Sequence, residues 1–252
     1  MLAVCRGAAA HTLTLSAKES YEVAKKKNLA AADYNKDGVV DAGTEMTYAH
    51  AYYASGFDKG GKTTYMTDIT RAFLDGRKLI TSANGEKLSD TSRARLMTYV
   101  DDISTNWEKV IAESVFKYAG STYKSLVALE DVSNDDLSKE FSNYMKYWGE
   151  LKGFSMALQV GKNDIGETGT KLNRMIGFGP MLMDETQIVG IDANGDYIMD
   201  KVYSMHDAKL HMVKVQKLMI DEFGVVARSN DMLANMADLA SKIGTSESAE
   251  ND

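Results

Sequence analysis

A chain of 252 residues, net charge -7, with 44% hydrophobic and 26% charged residues, has the composition of an ordinary globular protein with ample core. The acidic balance argues against a nucleic-acid partner, whose phosphates need a basic face, and no apolar run approaches the roughly 20 residues of a membrane helix. One proline (Pro180) beside 15 methionines suits long uninterrupted helices with Met filling the gaps between them, and a single cysteine, Cys5, excludes an internal disulfide.

Residues 1–15 show no clear period and read as a lead-in. Met1-Leu2-Ala3-Val4-Cys5 has a Cys placed as in a lipoprotein signal, but a basic start and an apolar stretch are missing, so an incidental Cys is expected. Ser16-Ala17-Lys18-Glu19 is a capping box that opens a helix to about Ala32, with Tyr21, Ala24 and Leu29 inward. Asp33-Tyr34-Asn35-Lys36-Asp37-Gly38-Val39-Val40-Asp41 follows. Asp33, Asn35 and Asp37 place oxygens at alternate positions. Gly38 permits a sharp turn, Val39 offers a carbonyl and Asp41 adds a carboxylate. That is the calcium loop of an EF-hand through its ninth position. At the twelfth position stands Thr44, with Glu45 one residue late, so the loop is either longer than usual or a ligand short. Expected Ca2+ ligands are Asp33, Asn35, Asp37, Val39, Asp41 and Glu45; the competing reading is an acidic turn with solvated carboxylates. A second helix from Glu45 to Ser55 completes the helix-loop-helix context.

Phe57 to Thr64 reads as a polar loop. Gly56 through Thr63 has the letters of a phosphate loop, but no strand precedes it, and that reading is set aside. From Asp68, residues Ile69, Ala72, Phe73, Gly76, Leu79 and Ile80 mark one helix face. Asn84-Gly85 is a turn, and a long helix starts near Ser89 or Asp90, with Leu96, Val100, Ile103, Trp107, Val110, Ser114 and Tyr118 inward. Gly120-Ser121 is expected to break it. Ser133-Asn134-Asp135-Asp136 caps a helix with a near-heptad seam of Leu137, Phe141, Tyr144, Trp148, Leu151, Phe154 and Leu158. Two long antiparallel helices, each with one tryptophan, are the expected centre of a bundle.

A Gly-rich stretch holds a short helix from Thr168 to Ile176. Alternating apolar residues around Asn194-Gly195 predict a small β-hairpin over 187–199. The same stretch carries Asp192, Asn194, Asp196 and Asp200 in a second calcium-like spacing. It has Tyr197 where Gly is needed, and the hairpin outweighs the metal site. Ser204 to Phe223 is a helix with Met205, Ala208, Met212, Val215 and Met219 inward. Ser229 caps a last helix through Ile243, and residues 244–252 form a disordered acidic tail. The predicted fold is mainly α: one helical domain over 16–243, with the EF-hand-like loop near its N-terminus.

Nothing in this pattern demands an enzyme. His206 and His211 are five apart and do not share a helix face; His11 and His50 stand alone. No His-Glu-x-x-His or Gly-x-Ser-x-Gly occurs.

Three stretches resemble a known family: Ile69-Thr-Arg-Ala-Phe-Leu-Asp-Gly-Arg-Lys-Leu-Ile80, Trp107-Glu-Lys-Val-Ile-Ala-Glu-Ser-Val-Phe-Lys-Tyr118 and Tyr147-Trp-Gly-Glu-Leu-Lys-Gly-Phe-Ser-Met-Ala-Leu158. Their succession, over roughly residues 45–160, is similar to a helical domain family of unknown function in bacterial envelope lipoproteins, distantly akin to the imelysins. The resemblance implies an all-α bundle outside the cytoplasm, linked to iron or metal acquisition. The imelysin Gly-x-His-x-x-Glu motif is absent; the nearest histidine is His50, in Ala49-His50-Ala51-Tyr52-Tyr53. Peptidase and iron-site roles therefore do not carry over.

The function expected is that of a non-catalytic, calcium-stabilised extracellular or periplasmic, outer-membrane-associated protein. It would bind or assemble with an unidentified protein or surface, and a homo-oligomer is compatible with this. The alternatives are an imelysin-like accessory in iron or haem acquisition and a metal-dependent hydrolase.

Overall fold

Helical periodicity dominates the chain, and the computed structural model is mainly helical with one two-stranded antiparallel sheet. It describes residues 17–24, 30, 33, 35–40, 49–161 and 164–241. The elements are α1 (Ala17–Ala24), α2 (Ala49–Asp58), α3 (Tyr65–Ser82), α4 (Asp90–Glu130), α5 (Leu137–Gln159) and α6 (Gly166–Ile176). Then come β1 (Gln187–Ile191), β2 (Tyr197–Asp200), α7 (Met205–Phe223), a 3-10 turn (Leu233–Asn235) and α8 (Met236–Ser241). The chain divides into two compact units between Val110 and Ile111. Helix α4 thus gives its first half to one unit and its second half to the other.

In the first unit, α1 and α2 pair through aromatic contacts. Tyr21 stacks on Tyr52 at 5.3 Å between centroids, and Lys59 lies 3.9 Å above the Tyr21 ring. Gly56 lets Tyr21 approach, since a Cβ there would sit 3.3 Å from the ring. Gly56 lies inside α2, which removes the phosphate-loop letters from any strand-loop-helix setting. Helix α3 buries Tyr65, Met66, Ile69, Ala72 and Gly76, while Ile80, expected inward, is 54% exposed. At Gly76 the helix comes close to Leu96 and Tyr99 of α4, and Phe73 meets Trp107 at 6.4 Å.

The expected polar loop at 57–64 is shorter than the sequence suggests, because α2 runs through Asp58. Asp58 is buried and serves as a remote cap. Its carboxylate accepts from the Thr63 hydroxyl (2.7 Å) and from the backbone amides of Tyr65 (2.9 Å) and Met66 (2.7 Å). Those amides are orphan donors of the first turn of α3, so the carboxylate does the work of an N-cap from outside the helix. Burial raises the Asp58 carboxyl above the usual carboxylate range, outweighing the three hydrogen bonds that lower it. A raised folded value means that this contribution to stability is complete below the unfolded pKa of about 3.9 and is lost as pH rises through the folded one. Asp58→Asn mimics the protonated form. Its melting temperature relative to wild type is therefore expected to climb as pH rises above the ordinary carboxylate value of about 3.9; a difference that stays flat from acid to neutral pH would refute the assignment.

In the second unit, α4 is buried on nearly every side from Ala112 to Thr122 and opens to solvent at Lys124, Val127, Ala128 and Glu130. Residues Ala112 to Phe116 are all buried, where the sequence predicts a single stripe. Gly120-Ser121 does not break the helix, which continues to Glu130. Gly120 is small for another reason. A Cβ there would lie 1.9 Å from the Asn230 carbonyl oxygen and 2.6 Å from Gln216 Nε2. The glycine admits the loop at 224–232 against the helix. Tyr118 stacks on Phe154 (5.6 Å, 9°) and leans on Tyr147, which seats α4 on α5.

The tryptophans have separate partners, Trp107 as described and Trp148 at the end of α6. Trp148 Nε1 donates to the Ile176 carbonyl (3.1 Å), and Lys152 Nζ, one turn on, donates to the Gly177 carbonyl (2.6 Å). A cation at a helix C-terminus satisfies orphan carbonyls and favours the dipole. Burial lowers the pKa of Lys152. The C-terminal side of this unit is built on Leu210, Val213 and Leu239, with Tyr123, Met232, Leu233 and Met236 packed around them. Helix α7 opens with a complete capping box between Ser204 and Asp207 and closes on Gly224 in the left-handed conformation.

The last helix is not continuous from Ser229, as the sequence suggests. Asn230 has φ +60°, the Met232 amide goes to Gln216 Oε1 (2.8 Å), and the first helical turn is 3-10. The lead-in, Ser16, and residues 242–252, with Ile243, lie outside the described residues.

Candidate functional site

The acidic stretch after α1 turns its oxygens inward. Asp33 accepts from the backbone amides of Asp37 (3.2 Å) and Gly38 (2.9 Å). Asn35 Oδ1 accepts from the Asp37 amide (2.9 Å), and Asp37 Oδ1 from the Val39 amide (2.8 Å). The Asn35 amide group donates to Asp37 Oδ2 (2.8 Å). Lys36 (φ +60°) and Gly38 (φ +85°) supply the left-handed steps that curl the backbone around these side chains. Each carboxylate or amide oxygen carries a second lone pair, so these bonds do not exhaust the donor set. Its oxygens are hard donors, the type that hard cations prefer. Val39 and Asn35 are exposed and Asp33 is half-buried. Asp41 and Glu45, the remaining expected ligands, lie outside the described residues. Among the described residues, no three His, Cys, Asp or Glu side chains gather as a metal site.

The second acidic stretch forms the predicted hairpin. β1 and β2 pair antiparallel with Ile191 opposite Tyr197 and a bulge between Ile188 and Gly190. The connection is not a two-residue Asn-Gly turn. The Gly195 amide donates to the Asp192 carbonyl (3.1 Å), Gly195 takes φ +91°, and the Asp192 amide donates to the Asp196 carbonyl (2.9 Å). Asn194 keeps a negative φ because the single left-handed step falls on Gly195. The Asp192 carboxylate accepts from the amides of Asn194 (2.8 Å) and Asp196 (2.9 Å), which holds its carboxyl below the usual range. Asp200 sits four residues along the strand from Asp196, roughly 13 Å at the usual strand rise. It cannot join Asp192, Asn194 and Asp196 around one ion.

His206 Nε2 lies 2.9 Å from the Leu239 carbonyl, and His211 packs edge-on to Tyr203 at 4.9 Å. The two do not converge. Burial pushes the Tyr203 hydroxyl up to about 12. His11 lies outside the described residues.

Polar groups inside the second unit matter more than the sequence suggests. Glu113, fully buried in α4, accepts from three successive backbone amides, Val226 (2.7 Å), Ala227 (2.7 Å) and Arg228 (3.2 Å). Gln216, fully buried in α7, donates to the carbonyls of Phe116 (2.9 Å) and Asn230 (2.8 Å) and accepts from Met232. Asn230 Nδ2 donates to the Ser121 hydroxyl (2.9 Å). The available signal was a run of polar residues (Glu113, Ser114, Ser121, Thr122, Ser125) at positions where a buried helix should be apolar.

Comparison of the chain with known protein families, curated proteins and solved structures finds no match. Among the described residues no helix is long and apolar enough to cross a membrane.

Proposed function

We propose that the protein is a non-catalytic helical binding or assembly protein whose first unit is stabilised by calcium held between residues 33 and 45. The reading rests chiefly on the pose of Asp33, Asn35 and Asp37: three oxygen-bearing side chains curled inward over two left-handed steps, with a pair of packed helices, α1 and α2, on either side. A calcium ion of the weak, millimolar class matches a loop with an irregular twelfth position and suits a compartment outside the cytoplasm. Its partner on this reading is a protein or a surface.

An ion that binds only the folded loop adds about 1.4 kcal/mol at tenfold excess over its Kd. Calcium at about 10 mM is therefore expected to raise the melting temperature of the first unit by a few degrees. A chelator should reverse the shift and Asp37→Ala should abolish it. Equilibrium dialysis that finds no bound calcium would end this reading. Iron or haem retained on purification would favour the imelysin-like accessory instead, and metal-dependent hydrolysis the hydrolase.

A further inference from the structure

Between α4 and α5 of the second unit lies an open cleft of about 360 Å³. Ser121, Lys124, Ser125 and Ala128 line it from α4, at the three- and four-residue steps of one helix face. Glu140, Asn143 and Tyr147 line it from α5 in the same manner, and Asn230 completes it from the 224–232 loop. Three features set this cleft apart from a gap in the packing. Ser125 is only 5% exposed, yet among the described residues its hydroxyl has no hydrogen-bond partner. Lys124 donates to the Asn230 side-chain carbonyl (3.0 Å) and forms no ion pair there. Glu140, with a side chain 26% exposed, has among the described residues only the Asn143 amide at 3.4 Å and the outward Lys139 at 3.9 Å. One cation and one anion thus line the same cleft from opposite helices without touching each other.

We propose that this cleft binds a small zwitterion of the free amino-acid class. Lys124 takes the carboxylate, Glu140 takes the ammonium, and Ser125 supplies the hydroxyl that the free protein leaves unused. The volume leaves room for a side chain between Ala128 and the Tyr147 ring. The site shares no residue with the acidic loop at 33–45, so it stands or falls independently of calcium.

The test is a titration of the full chain, in chelator, with a panel of free amino acids. Thermal shift and amide NMR report binding, with N-acetylated forms, carboxamide forms and glucose as comparisons. At least one free amino acid is expected to bind, and blocking either of its charged ends should weaken it about tenfold. Lys124→Met and Glu140→Gln should each weaken it by a similar factor. Ser125→Ala should lower affinity severalfold while leaving the melting temperature of the free protein unchanged, because the hydroxyl has no partner to lose. The proposal is overturned if no free amino acid binds, if blocked forms or glucose bind equally well, or if Ser125→Ala and Lys124→Met bind as wild type does.

Discussion

Gly120→Ala is expected to lower the stability of the second unit by about 3 kcal/mol, the upper end of the range for overpacking. The new methyl group would fall 1.9 Å from the Asn230 carbonyl oxygen, 2.6 Å from Gln216 Nε2 and 2.9 Å from Asn230 Cβ. None of these can retreat cheaply. The carbonyl belongs to backbone held in a left-handed step, and the Gln216 amide is committed to two carbonyls and one amide. The sign is informative, because alanine is the better helix former by about 1 kcal/mol, so the same change on an open face stabilises. Gly149 and Gly153 of α5 provide the comparison: a Cβ at either meets nothing within 4 Å. Urea unfolding followed by circular dichroism should show Gly120→Ala falling while Gly149→Ala and Gly153→Ala hold or rise. Three equal midpoints would mean that the close approach of the loop is misplaced.

Glu113→Ala should cost a comparable amount, about 3 kcal/mol, since hydrogen bonds to a charged acceptor are worth about 1.5–3 kcal/mol and this carboxylate accepts several. The loss should be local as well as global. Hydrogen exchange at the amides of Val226, Ala227 and Arg228 should accelerate more than exchange in α5. Glu113→Gln keeps one carbonyl oxygen in place and should fall between the alanine variant and wild type. Gln216→Ala loosens the same loop, so the double variant should lose less than the sum of the two single losses. Strict additivity would show that the two side chains act on separate structures.

Periodicity carried most of the fold. The stripes over Ile69 to Gly76 and Leu137 to Leu158, and the helix ending at Phe223, lie where the sequence places them, because a helix that must bury one face shows a 3.6-residue period. The hairpin was legible through Asn194-Gly195, although the turn is of another type. Gly120 was misread because one sequence cannot distinguish a glycine that ends a helix from one that admits a neighbour. The roles of Asp58, Glu113 and Gln216 were invisible for a related reason. Glu113 and Gln216 satisfy backbone groups far along the chain, up to 115 residues away for Glu113 and Arg228, and no local spacing encodes that; Asp58 caps the next helix from seven and eight residues upstream, outside the usual capping-box spacing. In the acidic loop the spacing of Asp33, Asn35 and Asp37 was legible, while the bonds from their side chains to the backbone amides of Asp37, Gly38 and Val39 were not.

The segment from Val226 to Arg228 is gripped by its main chain: Glu113 takes its three amides, leaving the Val226 and Arg228 side chains at the surface. Such a grip is indifferent to side-chain identity and sensitive only to whatever removes an N–H, above all proline. The stretch can therefore accept new surface chemistry at Val226 or Arg228 without losing its shape, a ready-made platform for display.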